Sequence, residues 1–107
     1  MLFHVIMTHT EDNCPAYHTE WMPEVIASFE KLEALGKELN VKAHALLWGA
    51  PAHVAFAVLE ADSLTSIGRF LNSIAIKQDF EITPVENLAD VIQFGKAAMA
   101  ARALAKK

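Results

Sequence analysis

Cysteine, proline and glycine are scarce in this 107-residue chain, which has one cysteine, four prolines and four glycines. Because Cys14 is the single cysteine, an intrachain disulfide framework is excluded. Basic residues are also few, with nine lysines and arginines against thirteen acidic residues and a formal net charge of −4. Surfaces for nucleic acid or anionic membranes need clustered basic residues, so we expect neither partner.

The chain lacks an apolar run long enough for a membrane-spanning helix. The longest run, residues 43–59, contains two histidines and is interrupted by Gly49-Ala50-Pro51. It is also shorter than the ~20 residues that such a helix requires. The opening residues, 1–4, lack the basic segment of a signal peptide and are typical of a strand. We therefore expect a cytoplasmic protein.

Hydrophobic residues, in contrast, make up 53% of the chain. A chain of this length forms one domain, and a small domain has much surface relative to its core. The surplus apolar residues then need cover from another subunit. We expect a homodimer, with a higher homo-oligomer as a further possibility.

The apolar periodicity alternates between that of strands and that of helices. Strands are predicted at 2–9, 41–48, 53–60 and 80–83, and helices at 19–39, 63–74 and 86–107. The order β-α-β-β-α-β is that of the ferredoxin-like fold, an α+β fold with a four-stranded antiparallel sheet. We expect this domain over residues 1–85, and over 86–107 a C-terminal helix that packs on the domain or on a partner subunit.

Two short segments resemble a known family. Residues 1–5 followed by Met7-Thr8 resemble the first strand of muconolactone isomerases, and residues 80–84 resemble their last strand. The stretch 36–62 is similar to the wider dimeric α/β-barrel superfamily, which includes small isomerases, monooxygenases, haem-handling enzymes and metal-binding proteins. The resemblance covers about residues 1–88 and implies a dimeric α/β barrel. The loop 9–18 and the segment 42–48 depart from the isomerase pattern.

Alternation along the strands predicts which side chains share a face of the sheet. The uniformly apolar positions, including Phe3, Val5 and Met7 and also Val54, Phe56 and Val58, are expected to face the helices. The mixed positions are expected to face the interior of the barrel, where Ala55 and Ala57 leave room for a ligand. This second set includes His4, Ile6, His44, Leu46, Trp48 and His53.

Imidazoles titrate near neutral pH and also bind metals, so a histidine-lined pocket supports two kinds of chemistry. His4 and His44 are the candidate catalytic acid–base residues. The candidate ligand contacts are Trp48, His53, Ile6 and Leu46. The alternative is that the histidines are structural, each held by a single hydrogen bond at the subunit interface.

The loop after the first strand contains a second cluster of polar donors. His9, Cys14 and His18 place one thiol and two imidazoles within ten residues. Zinc, nickel, copper and haem iron all use such donors, so these three residues are candidate metal ligands. The alternative is a solvated loop with a turn that begins at Pro15.

Several catalytic motifs are missing from the sequence. It has no glycine-rich phosphate loop, no nucleophile elbow, no CxxC pair and no HExxH. We therefore expect a homodimeric protein that binds a small ligand in a histidine-lined pocket, with a metal ion or haem as the candidate cofactor. Two alternatives stay open: a cofactor-independent isomerase or monooxygenase, and a structural or regulatory oligomer.

Overall fold

The computed structural model describes residues 1–106 and contains four strands and four α-helices. Lys107, the last residue of the predicted terminal helix, lies outside the described residues. The strands are β1 (Leu2–Thr8), β2 (Lys42–Gly49), β3 (Val54–Glu60) and β4 (Asp79–Val85). The helices are α1 (Met22–Glu30), α2 (Leu32–Leu39), α3 (Leu64–Asn72) and α4 (Leu88–Ala105).

The strands form one antiparallel sheet in the order β2-β3-β1-β4. The connection from β1 to β2 runs through α1 and α2 and passes over β3. The connection from β3 to β4 runs through α3 and passes over β1. This is the split βαβ arrangement, and it confirms the predicted α+β, ferredoxin-like fold. Strands β1 and β3 lie at the centre of the sheet, and β2 and β4 form its edges.

The core lies between the sheet and the helices α1, α2 and α3. Phe3, Val5 and Met7 of β1 are buried there, which confirms their predicted orientation. Helix residues buried against them include Leu32 and Ile67. Because a small domain has few core positions, each of these side chains contributes a large share of the apolar area removed from water.

The helix boundaries follow local sequence signals. Pro23 lies in the first turn of α1, where a missing N–H does least harm. The helix predicted over 19–39 is divided, because residues 19–21 form a 3₁₀ turn and Lys31 separates α1 from α2. Asn40 ends α2 in the left-handed conformation, with φ of 56°. Ser63 caps α3 by accepting a hydrogen bond from the backbone N–H of Ser66 at 3.2 Å.

The predicted orientation of β3 is wrong. The residues that face the helices are Ala55, Ala57 and Leu59, all buried, whereas Phe56 is 40% exposed on the open face of the sheet. The pairing of β3 with β1 determines this orientation, because Ala57 lies opposite the buried Val5. The small alanines therefore lie beneath the helices and do not leave room for a ligand on the open face.

A β-bulge changes the orientation of β2 partway along the strand. The register with β3 shifts between Ala43 and Ala45, so that Leu46 lies opposite Ala57 and Trp48 opposite Ala55. Leu46 and Trp48 are thus on the helix side of the sheet, and their predicted place on the open face is wrong. An inserted residue reverses the alternation of every side chain that follows it, and the sequence shows no sign of the insertion.

The last helix, α4, stands apart from the domain. None of its residues is buried, and the described chain measures 69 × 30 × 18 Å. The radius of gyration of the described chain is 18.4 Å, whereas a compact chain of this length has about 13 Å. Packing of this helix on its own domain, one of the two expected arrangements, is not observed in the described residues. None of the helices within residues 1–106 combines the length and apolar character needed to cross a membrane.

Two helical glycines give a matched test of this packing. A Cβ at Gly36 would lie 2.8 Å from the backbone carbonyl oxygen of Val41 and 3.4 Å from the ring of Phe70. A Cβ at Gly68 would meet nothing within 4 Å. We expect Gly36→Ala to lower the free energy of unfolding by about 1–3 kcal/mol through overpacking. Gly68→Ala should raise it by about 0.5–1 kcal/mol through helix propensity. Urea unfolding measures both, and equal effects of the two changes would contradict the packing.

Candidate metal site

The pairing of β1 with β3 brings His9 next to His53. His9 follows the last residue of β1, and His53 precedes the first residue of β3. The ladder continues one step beyond the strands, because the backbone N–H of His9 donates to the carbonyl oxygen of His53 at 3.2 Å. As a result, Nδ1 of His53 lies 3.4 Å from Nε2 of His9, and the two rings meet edge to face.

The turn before β3 sets the orientation of His53. Residues Ala50–Ala52 form a 3₁₀ turn, and the N–H of His53 donates to the carbonyl oxygen of Ala50 at 3.2 Å. His53 leaves this turn in the left-handed conformation, with φ of 55°. This conformation costs a non-glycine residue about 1–2 kcal/mol. The surrounding hairpin maintains it, and the imidazole is directed toward the end of β1.

Cys14 reaches the same point from the loop after β1. A 3₁₀ turn over Glu11–Asn13 is closed by a hydrogen bond from the N–H of Cys14 to the carbonyl oxygen of Glu11 at 3.1 Å. The thiol is buried and not part of a disulfide. One donor atom each from His9, Cys14 and His53 lies within 4.8 Å of the other two. The loop that follows β1 and the turn that precedes β3, two segments distant in sequence, therefore present one thiol and two imidazoles to a common point.

The spacing of these donors is close to that of a tetrahedral metal site. Zinc binds histidine nitrogen at about 2.0–2.1 Å, so two nitrogens at the tetrahedral angle are ~3.4 Å apart. The two imidazole nitrogens already have a separation of 3.4 Å. Zinc–sulfur bonds of about 2.3 Å place sulfur and nitrogen roughly 3.6 Å apart, so each sulfur–nitrogen distance, now within 4.8 Å, would shorten by ~1.2 Å or less.

The electrostatics of the cluster favour neutral imidazole. Burial lowers the pKa of His9 below its usual value, and the nearby His53 lowers this pKa further. A neutral imidazole has a free lone pair for a metal, whereas a protonated one does not. Because the folded-state pKa of His9 is lowered, its protonation opposes folding, and the stability that depends on its neutral form is lost as the pH falls below the value of an unfolded histidine.

His18, the third predicted ligand, lies outside this cluster. Its Nε2–H donates to the carbonyl oxygen of Asp12 at 2.7 Å, and its Nδ1 lies 3.5 Å from a carboxylate oxygen of Glu20. The ring stacks on Trp21 with centroids 3.9 Å apart. The structure therefore brings together His9 and Cys14 of the predicted metal set, with His53 from the predicted pocket set in place of His18.

The predicted catalytic pair is separated on the open face of the sheet. His4 lies near Phe56, with ring centroids 6.4 Å apart. His44 forms a pair with Glu60 through Nε2, at 2.8 Å from the carboxylate oxygen. This hydrogen bond lowers the pKa of the Glu60 carboxyl group below its usual value. Ile6 lies on the same face, partly buried between its neighbours in β3 and β4.

The predicted pocket residues Trp48 and Leu46 line a different depression. It lies between helices α1 and α2 and the edge strand β2, with a volume of about 800 Å³. Trp48 meets Phe29 at an angle of 66°, with ring centroids 4.9 Å apart. Apolar side chains form most of the surface, and Lys37 and Lys42 are the basic residues among the lining. His53 and Ile6 do not contribute to this depression.

His53 was predicted as a pocket residue beside the hairpin turn, apart from His9 and Cys14. A signal was available. In a ferredoxin-like sheet β1 and β3 are antiparallel neighbours, so the residue after β1 and the residue before β3 must be adjacent. Applied to this sequence, that rule pairs His9 with His53.

Comparison with known proteins adds a family and one distant structure. A family model described as "Domain of unknown function (DUF3303)" matches residues 1–99. Curated proteins give no match. Among solved structures, a dimeric ferredoxin-like protein from an uncultured marine organism is 18% identical, and the alignment covers 81% of this chain and 96% of that one with a TM-score of 0.34. The strand order of this chain shows the ferredoxin-like fold by itself.

The hydrogen bond between His44 and Glu60 on the open face of the sheet can be tested through the pKa of Glu60. Because the hydrogen bond from His44 stabilises the Glu60 carboxylate, His44→Ala should raise the pKa of Glu60 toward its usual value. An NMR titration of the Glu60 side-chain carbon measures this. His4→Ala is the matched control, since His4 lies on the same face and is not bonded to Glu60. An unchanged Glu60 titration in His44→Ala would show that the pair does not form.

Proposed function

The chain belongs to the family described as "Domain of unknown function (DUF3303)", and we propose that it binds a divalent transition-metal ion through His9, Cys14 and His53. The observation that supports this most strongly is the convergence of their donor atoms within 4.8 Å. Zinc fits best, because a thiolate and two imidazoles are its usual ligands and its tetrahedral geometry matches the 3.4 Å separation of the two nitrogens.

Three protein ligands leave the fourth zinc position for another molecule. Structural zinc sites usually have four protein ligands, whereas sites that bind water or a substrate have three. The burial of the cluster suits this arrangement, because Cys14 is buried while both imidazoles are partly exposed. Tyr17, whose ring lies 6.1 Å from that of His53, is exposed beside the cluster. A small anionic ligand or a water molecule would reach the ion from the imidazole side.

The donor geometry favours a single ion over haem as the cofactor. Haem needs a large apolar cavity with an axial ligand directed into it. The depression of about 800 Å³ is lined by no histidine, cysteine, methionine or tyrosine. The three convergent donors lie elsewhere, at the end of the central strands, where they would surround one small ion.

A second candidate function is binding of a small organic acid in the depression beside β2. Its volume of about 800 Å³ is within the usual range for ligand sites. Trp48, Phe29 and Leu46 would contact the apolar body of the ligand, and Lys42 would attract its anionic group. Lys37 also lines the depression, where it pairs with Glu33 at 3.8 Å. This retains Trp48 and Leu46 as ligand contacts, on the helix side of the sheet.

A cofactor-independent isomerase or monooxygenase is the remaining enzymatic alternative. The pair of His44 and Glu60 supports it, since a carboxylate that orients an imidazole is a common feature of acid–base catalysis. Such an enzyme would lose turnover in His44→Ala but would not depend on Cys14. Metal binding, in contrast, would depend on Cys14 and not on His44.

Cobalt titration tests the metal-binding proposal. Cobalt takes the place of zinc and gives a thiolate-to-metal absorption band when cysteine binds it. We expect wild-type protein to show this band at one equivalent of cobalt. Cys14→Ser should abolish the band. His53→Ala removes a ligand and should therefore weaken cobalt binding by more than ~10–100-fold, which is the loss caused by removing a residue that only hydrogen-bonds to a metal ligand.

His18→Ala is the matched control for the cobalt titration. It removes an imidazole from the same loop, but this ring is bonded to Asp12 and stacked on Trp21. Cobalt affinity should therefore be unchanged. Equal losses in His18→Ala and His53→Ala, or a wild-type protein without the thiolate band, would contradict the proposed ligand set.

Fluorescence of 1-anilinonaphthalene-8-sulfonate, an aromatic anion, tests the second candidate. The folded wild-type protein should bind this probe, and Trp48→Ala should weaken binding by about tenfold through loss of the aromatic contact. Trp21→Ala is the control, because Trp21 is similarly exposed but lies next to His18, away from the depression. Equal binding by all three proteins would remove this candidate.

A further inference from the structure

Helix α4 carries large apolar side chains that its own chain does not cover. None of its 18 residues is buried, and six large apolar side chains are between 47% and 73% exposed. They are Leu88, Val91, Ile92, Phe94, Met99 and Leu104. An isolated helix of this length is marginally stable in water, and most helices in proteins are stabilised by burying an apolar face. The helix therefore needs a binding partner.

One face of α4 is apolar in its first turns and basic in its last turns. Positions spaced by three or four residues lie on the same side of a helix. Leu88, Ile92 and Met99 fall on this side together with Val91, and the same line continues through Arg102 to Lys106. We call these six residues the arm face. Its first three turns are apolar, and its last turns are basic.

The open face of the sheet has the complementary composition. Its centre is apolar, with Phe56 40% exposed, Leu47 62% exposed, and Ile6 and Val58 partly buried. Acidic residues flank this centre on the edge strand β4, and Lys42 lies on the same face at the opposite edge, paired with Glu60 in the ladder. Asp79 and Glu81 lie on β4 opposite Thr8 and Ile6, which places both on the open face.

These acidic residues have no basic partner in their own chain. Within residues 1–106, Asp79 and Glu81 form no salt bridge, and neither do Arg102 and Lys106. The unpaired anions lie on the sheet, and the unpaired cations lie on α4. Opposite charges on two uncovered apolar surfaces favour contact between them.

We propose that a second copy of this chain covers both surfaces, with α4 of each copy lying across the open sheet face of the other. The two contacts are identical by two-fold symmetry, so one dimer removes both uncovered surfaces at once. The lengths match, because an 18-residue helix spans about 27 Å and a seven-residue strand about 23 Å. The inference goes beyond metal binding and does not depend on it.

Exchange of α4 covers more apolar surface than direct pairing of the two sheets. Sheet-against-sheet contact would cover Phe56 and Leu47 but would leave the arm face in water. Exchange of α4 covers both and places Arg102 and Lys106 near Asp79 and Glu81. Phe94 and Leu104 lie on the other side of α4 and stay exposed in this arrangement.

Sedimentation equilibrium of the full chain tests the proposal. The wild-type protein should sediment at twice 11.8 kDa. Ile92→Glu on the arm face and Phe56→Glu on the sheet should each raise the dimer dissociation constant about tenfold or more. Ala97→Glu is the matched control, because it adds the same charge on the opposite side of α4 and should leave the constant unchanged. A monomeric wild type, or a dimer unaffected by Ile92→Glu, would overturn the proposal.

Disulfide cross-linking between two variants identifies which surfaces meet, even if a glutamate variant folds poorly. Ile92→Cys and Phe56→Cys proteins are mixed and oxidised, and the products are separated on a non-reducing gel. Exchange of α4 predicts a heterodimer linked between the two new cysteines, and Ala97→Cys in place of Ile92→Cys should give little product. Linkage of Phe56→Cys chains to each other as the main product would show a sheet-against-sheet barrel and overturn the proposal.

Discussion

The antiparallel pairing of β1 with β3 is the contact on which the rest of this molecule depends. It aligns Val5 with Ala57 and thereby decides which side chains enter the core and which stay on the open face. The same ladder, extended by one hydrogen bond from His9 to His53, brings two imidazoles together at its end. A shift of one residue would expose the core side chains and separate the two histidines. Core and candidate site are therefore specified by one register.

The register holds the candidate site in an arrangement that is unfavourable without an ion. His53 is held in a left-handed conformation, and His9 has a lowered pKa because it is partly buried beside a second imidazole. Both features cost stability in the absence of a bound ion. A metal ion would replace the contact between two imidazoles with two coordinate bonds and would neutralise part of the charge of the thiolate. Such conformational strain in an otherwise well-packed domain is common at functional sites.

Much of the fold was predictable because it depends on periodicity. The order of strands and helices, the burial of Phe3, Val5 and Met7, the cap at Ser63 and the exit at Asn40 all follow from local patterns. The orientation of β3 was not predictable from alternation alone, because both of its faces are apolar. The small residues Ala55 and Ala57 prove to be the buried ones, since helices pack closely over them.

The candidate site was only partly predictable for a related reason. His9, Cys14 and His18 were identified as donors from their spacing in the loop, and His53 was assigned to the ligand pocket from its position in the hairpin. A short 3₁₀ turn directs His18 onto Trp21, while strand pairing brings His53 across from a distance of 44 residues. The bulge at residues 43–45, which moves Trp48 to the helix side, likewise has no local signature. Long-range register, and not residue type, decided these positions.

The central claim is that β1–β3 pairing creates a metal site with one sulfur and two imidazole nitrogens. X-ray absorption fine structure of the zinc-loaded protein measures this most directly. We expect one sulfur neighbour at about 2.3 Å and nitrogen or oxygen neighbours at about 2.0–2.1 Å, with the multiple-scattering pattern of two imidazoles. A first shell of oxygen and nitrogen without sulfur would contradict it.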